Sequence, residues 1–289
     1  MSGVAPATPP ELAGHRGSRL LDFGRGAGGG AVVALVSTVI VFGLIGYVVI
    51  TSPGWEAVHR QFFSSVVFDK TFPGIAKALW KNIQLFLLAE VFILMFGLVL
   101  AVMRNLPGPA FFPLRLMSIV YTDIFRGLPS ILVIYVIGFG VPGLRIPGLT
   151  NDVFVLGMFA LVLCWSAYVA EVYRAGILSV HPSQDAAARS LGLSRLQALR
   201  YVVLPQAVRR VIPPLLNDFI GLQKDTALVS TIGVIEVFRQ TQNVSGAGFN
   251  LTPFLACGLL FLVMTIPMTR FVDWLVARDR RRQLAGAAR

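Results

Sequence analysis

Apolar runs of about 20 residues recur along the chain between short polar stretches. The first, Ala31 to Thr51, holds no charge. At 1.5 Å per residue it spans a hydrocarbon core of roughly 30 Å, which predicts a transmembrane helix. Four more follow: Ile83–Met103, broken only by Glu90; Leu116–Phe139, which contains Asp123 and Arg126; Val153–Tyr173; and Pro253–Val272. A Gly/Pro-rich turn over 138–148 ends the run at Phe139. Residues 52–82 differ, mixing Trp55, Phe62, Phe63 and Trp80 with Lys70, Lys77 and Lys81. That mixture fits a loop with helices lying at the interface, or a solvated connector.

Leu204 to Val234 is the ambiguous stretch. Arg209, Arg210, Pro213, Pro214, Asn217, Asp218, Lys224 and Asp225 lie there among apolar residues. Such a helix crosses a membrane only when packed inside protein, where neighbours or water satisfy its charges and freed backbone groups. The distribution of basic residues decides between the topologies. With this stretch as a span there are six, and sixteen Lys and Arg fall on the side of both chain ends against six on the other. Basic residues favour the cytoplasm, so both termini are expected there. Without it, the Arg278 to Arg282 cluster would face outward. The expected organisation is a disordered cytoplasmic tail over 1–30, an additional span at 31–51, an extracytoplasmic aromatic and basic loop at 52–79, a membrane domain at 80–277 and a basic cytoplasmic tail at 278–289.

Composition supports an all-α, polytopic membrane protein. Hydrophobic residues make up 55% of the chain and charged residues 13%, about half the share of a soluble domain. The net charge of +11 follows from the cytoplasmic excess of Lys and Arg and requires no nucleic acid. Cys164 and Cys257 sit in apolar runs, and His15, His59 and His181 are far apart, so neither a metal site nor a catalytic cluster is expected. None of the four lysines follows a glycine, as a phosphate-cradling G-x-x-x-x-G-K-[ST] loop requires. The chain is therefore expected to hold no cofactor and to hydrolyse no ATP.

The loop after the fourth span is the most informative segment. Pro182 and Ser183 start a short helix, Ala186, Ala187 and Ala188 give it high propensity and little bulk, and Gly192 stops it. Ser194 and Gln197 have the spacing of a capping box for a second helix, which Pro205 ends or bends. Two helices around a glycine bend, showing small residues and Leu191 and Leu193, make a surface that a soluble partner can grip.

The spacing Ala187-Ala188-x3-Gly192-x9-Val202-x-Leu204-Pro205 resembles the EAA loop of permease subunits of bacterial ABC importers. The segments 121-YTDIFRGLP-129, 167-AYVAEVYRAGI-177 and 204-LPQAVRRVIPPLLNDFIGLQKDTALVS-230 are similar to the polar amino acid branch of that superfamily. The resemblance covers roughly Trp80 to Ala277 and leaves the first span as an addition to a five-helix core. It implies a loop at about 183–205 that docks a separate ATPase through Asp185, Ala187, Ala188, Gly192, Leu204 and Pro205. It also implies a second permease subunit, two ATPase subunits that carry ATP and Mg, an extracytoplasmic solute-binding protein, and a bacterial cell membrane location. One departure stands out. The motif's glutamate falls on Ala186, with Asp185 one place earlier, so either Asp185 substitutes or small-residue packing suffices.

Ionisable groups at membrane depth are costly and by default mark a path or a partner. Glu90, Asp123, Arg126, Lys224 and Asp225 are the candidates, with the uncharged Asn217 as a further residue of the path. Asp123 and Arg126 are spaced for a local pair, Lys224 and Asp225 for a partner on another helix, and Glu90 has no sequence-local partner. These acids and the proline-broken stretch also suit a secondary transporter or channel driven by an ion gradient. That alternative leaves the Ala-Ala…Gly…Leu-Pro loop unexplained.

Overall fold

The computed structural model describes residues 29–287, the side chains to Arg278; expectations for the amino-terminal tail and for 288–289 lie outside the described residues. Among the described residues there are helices and no strands. The helices are α1 (Gly29–Ile50), α2 (Trp55–Phe62), α3 (Ser65–Arg104), α4 (Phe112–Gly127), α5 (Ser130–Gly143), α6 (Val153–Leu178), α7 (Pro182–Ser190), α8 (Arg195–Ala198), α9 (Leu204–Asp225), α10 (Val237–Gly248) and α11 (Thr252–Ala287). The chain divides between His59 and Arg60 into two units. The first holds α1, uncharged over its 22 residues and about 33 Å long. The second holds the remaining membrane helices and the loop.

In the second unit α6 is the central helix. Small residues at Gly157, Ala160, Cys164, Ala167 and Ala170 line its buried face, which lets neighbouring helices approach closely where lipid supplies no hydrophobic drive between them. At Gly97 of α3 an added Cβ would meet Val169 Cγ1 at 2.8 Å, and at Gly176 of α6 it would meet Val211 Cγ1 of α9 at 1.9 Å. Gly176→Ala should therefore overpack the α6–α9 crossing and destabilise the protein by about 1–3 kcal/mol. The measurement is the melting temperature of the purified protein in detergent, and an unchanged value would mean that the two helices do not meet this closely.

Two expected elements come out differently. The run Leu116–Phe139 is not one straight helix: α4 and α5 meet at 104°. Leu128, which precedes Pro129, is extended with φ −92° and ψ 138°, because the proline ring crowds the helical conformation of the residue before it. Residues 65–82, expected within a mixed loop, form the amino-terminal part of α3, whose 40 residues continue through Pro73. Among the described residues α1, α3, α6 and α11 are each long and apolar enough to cross a membrane, and the bent α4–α5 pair passes the same test only when its two arms are taken as one span; α9, with its prolines and charges, does not.

At one end of the second unit, hydrogen bonds clamp the segment before α3 to the start of α11. Leu251 N donates to Gln61 O at 2.9 Å, Gln61 Nε2 to Phe249 O at 2.7 Å and Ser64 N to Thr252 Oγ1 at 3.1 Å. Deeper in, Asn82 of α3 is 1% exposed and Glu236, the cap of α10, is 0% exposed. Asn82 Nδ2 donates to Glu236 Oε2 at 2.9 Å and to Thr226 Oγ1 at 3.0 Å, while Asn82 Oδ1 accepts from Val237 N at 3.0 Å. The Glu236 carboxylate also accepts from Phe238 N and Arg239 N at the positive end of α10.

Candidate functional site

The loop between α6 and α9 is built from local capping. His181 caps α7 through its ring Nδ1, which accepts from Ser183 N at 3.2 Å, and Pro182 occupies the first turn, where no amide donor is needed. The far end of α7 is a Schellman motif. Gly192, at φ +87°, donates to Arg189 O, and Leu193 N reaches back to Ala188 O at 3.3 Å. Ser194 and Gln197 then close the capping box of α8. Pro205 does not end the helix that follows. The turn Leu199–Val203 widens to π geometry, with Leu204 N bonded to Leu199 O, and the helix continues into α9 with Pro205 in its first turn. The wider turn accommodates a proline ring that an α-helical turn would crowd.

This two-helix knob is fastened to the protein body. Arg210 Nη1 donates to Ser179 O, and Gln206 Nε2 to Gln184 Oε1 at 3.3 Å. Ala188 is buried beneath it, whereas Ala186, Ala187, Gly192, Leu204 and Pro205 are exposed and Asp185 is half-buried. Leu191 is 84% exposed and Leu196 73%, while Leu193 is half-buried. The knob thus offers two bare leucines beside a patch of small residues, on a support that is continuous with α9.

A charge junction lies next to the loop. Glu171 of α6 binds Arg104 of α3 at 2.9 Å through Oε2, lies 3.9 Å from Arg126 of α4 and holds Arg174 on its other oxygen. Arg104 also donates to Thr122 Oγ1 at 3.3 Å, and the Arg126 guanidinium lies 5.8 Å from the centre of the Tyr168 ring. The expected Asp123–Arg126 pair does not form. Arg126 turns to Glu171, and Asp123 is exposed with no polar partner among the described residues. The structure therefore adds Glu171, Arg104 and Arg174 to the sequence candidates. The Glu171–Arg174 spacing of three was readable as a helix pair; Arg104, 67 positions away, was not.

The other candidates scatter. Lys224 and Asn217 are exposed, and Asp225 accepts from Trp165 Nε1 at 3.2 Å rather than from a basic group on another helix. Glu90 on α3 is close enough to Asp218 on α9 for the two carboxyl groups to act on each other electrostatically. Asp218 Oδ2 is buried and has no hydrogen-bond partner among the described residues. Two carboxyl groups from helices far apart in sequence thus share one half-buried region with acceptor capacity unspent.

Residues 93–281 match the family described as binding-protein-dependent transport system inner membrane component. The chain belongs to this family. The resemblance read from the loop is borne out. The chain is 38% identical over 194 residues to a probable glutamine ABC transporter permease of Bacillus subtilis (strain 168), covering 66% of this chain and 85% of that one. It is 31% identical over 198 residues to the arginine transport system permease of the same organism, covering 68% and 88%. Among solved structures, an amino acid ABC transporter crystallised with histidines superposes with a TM-score of 0.68 at 31% identity, covering 74% of this chain and 98% of that one. As a member of the family, the permease carries the knob, Glu171, Glu90 and Asp218 within or beside the matched region; α1, α2 and residues 65–92 of α3 precede it.

Proposed function

We propose that this permease is the membrane-spanning subunit of an ATP-driven importer of polar amino acids. In this reading it pairs with a second permease subunit, docks two ATPase subunits that hold ATP and Mg, and receives substrate from an extracytoplasmic solute-binding protein. The observation that carries the reading is the capped knob, bonded to α9 through Gln184 and Gln206, in a chain whose relatives are named as glutamine and arginine permeases. The permease sits in a bacterial cell membrane with both termini cytoplasmic and six spans, α9 being the fifth. Its 22 residues reach about 33 Å, and its low hydropathy fits a helix packed among others rather than facing lipid.

Mechanically, closure of the ATPases displaces the α7–α8 knob. The Gln206–Gln184 bond and the continuous helix from Arg195 to Asp225 carry that displacement into α9, a rigid-body transition. Asp185 stands where an acidic contact to the ATPase is available, and Ala187, Ala188, Gly192, Leu204 and Pro205 shape the docking surface. Glu90 and Asp218 supply the translocation path with acceptors for the ammonium group of an amino acid, and neighbouring Asn217 is exposed for its carboxylate.

The test is uptake by proteoliposomes containing the permease, its ATPase and its solute-binding protein. Uptake should require ATP inside the vesicle and persist when ionophores collapse proton and sodium gradients. Uptake abolished by ionophores and indifferent to ATP would instead establish an ion-gradient-driven transporter, for which the acids at Glu90 and Asp218 would be the coupling groups.

A further inference from the structure

A cleft of about 350 Å³ opens between α9 and α11. Its α9 wall is the stripe Arg209, Ile212 and Leu216, spaced three and four apart on one helix face; its α11 wall contributes Leu275 and Arg278. The two helices run antiparallel, because Thr265 Oγ1 donates to Gln223 Oε1 at 3.0 Å while Arg209 and Arg278 line one cleft at the other end of the pair. Both guanidiniums therefore stand at one mouth of the cleft, with Leu216 about 10 Å deeper along α9. Neither has a carboxylate within ion-pair distance among the described residues. Nearby charges are already engaged: Arg210 is held by Ser179, and Asp273 lies 3.7 Å from Arg270. The Arg278 guanidinium lies 5.2 Å from the centre of the Trp274 ring, an exposed aromatic of the kind that settles at headgroup level.

We propose that this cleft binds an anionic phospholipid of the cytoplasmic leaflet, its phosphate between Arg209 and Arg278 and an acyl chain along Ile212, Leu216 and Leu275. Positive charge at the mouth that is unpaired among the described residues, apolar walls below it and an interfacial tryptophan beside it match the amphiphile part by part, and a basic pocket between membrane helices on the cytoplasmic side is where such headgroups are retained. The leaflet assignment rests on the tails-inside topology proposed above; the binding chemistry does not. A lipid held there would bridge α9, which carries the docking knob, to α11.

Full-length permease in detergent, titrated with phosphatidylglycerol or phosphatidylcholine and weighed by native mass spectrometry, tests the site. Wild type should retain phosphatidylglycerol at concentrations where phosphatidylcholine has dissociated. Arg209→Gln and Arg278→Gln should each weaken retention roughly fivefold, and the pair roughly thirtyfold. Arg209→Lys should keep most of it, since a point charge suffices for phosphate. Leu216→Trp, which fills the cleft, should also expel the lipid, and unchanged gel-filtration profiles would show that the variants fold. Three outcomes overturn the proposal: equal retention of both lipids, full retention by the double glutamine variant, or competition by inorganic phosphate as effective as by the lipid. A fourth is loss of permease dimer by Leu216→Trp with lipid count unchanged, which would assign the cleft to a second copy. Labelling of a cysteine at Ala288 by an impermeant reagent outside intact cells would refute the topology and leave the binding result standing.

Discussion

An Asn82→Leu permease is expected to lose roughly 2–6 kcal/mol of stability, because a single buried amide serves three partners on two other elements. Leucine has a similar volume but removes the donor to Glu236 and Thr226 and the acceptor for Val237 N at once. The Glu236 carboxylate, fully buried, keeps only the two amides of its own helix. Each buried group left unpaired costs about 1–3 kcal/mol, whereas the new apolar surface gains little at a site already closed to solvent. The melting temperature of the purified protein should fall sharply, and proteolysis should open the chain between α9 and α10. A melting temperature equal to wild type would mean that Asn82 does not bridge these elements.

Gly192→Val should cut transport about tenfold while leaving the membrane helices folded. No atom lies within 4 Å of where its Cβ would be, so the penalty is purely conformational. A left-handed residue with a side chain costs about 1–2 kcal/mol, more when β-branched, and that energy sets how often the Schellman turn holds α7 and α8 in their docking geometry. Gly192→Asn, which tolerates that conformation, should retain most of the activity. Transport and ATPase copurification measured for both variants check this. Normal copurification with the valine variant would remove the turn from the docking surface.

The spans at 31–51, 153–173 and 253–272 were readable because an uninterrupted apolar run has one economical solution in a bilayer, a helix. The knob was readable because capping is local: Pro182, Gly192, Ser194 and Gln197 act on amides within a few residues. The α4–α5 bend was written in Pro129, but hydropathy averaged along a sequence carries no direction, so an apolar run looks alike whether it is straight or turned by 104°. Pairings between distant helices were the least legible. Asn82 and Glu236 are 154 positions apart, and the bond of Glu171 to Arg104 and the electrostatic proximity of Glu90 to Asp218 likewise arise only when the helices stack. The Asp123–Arg126 expectation failed for the same reason, since an i,i+3 spacing permits a pair without requiring it, and a carboxylate from α6 was nearer.

The length of α3 has a mechanical consequence. Forty residues make a rod of about 60 Å, twice the hydrocarbon thickness, and its Asp69, Lys70, Lys77 and Lys81 crowd one half. One tip is pinned at Ser64 to Thr252, the other at Arg104 to Glu171. A hydrogen-bonded rod hardly stretches, so the clamp at Ser64 and the charge junction at Arg104 keep a fixed separation. The remaining freedom is tilt and roll about that rod. Motion begun at one end of α3 therefore reaches the other as rotation of a strut rather than as a change in spacing.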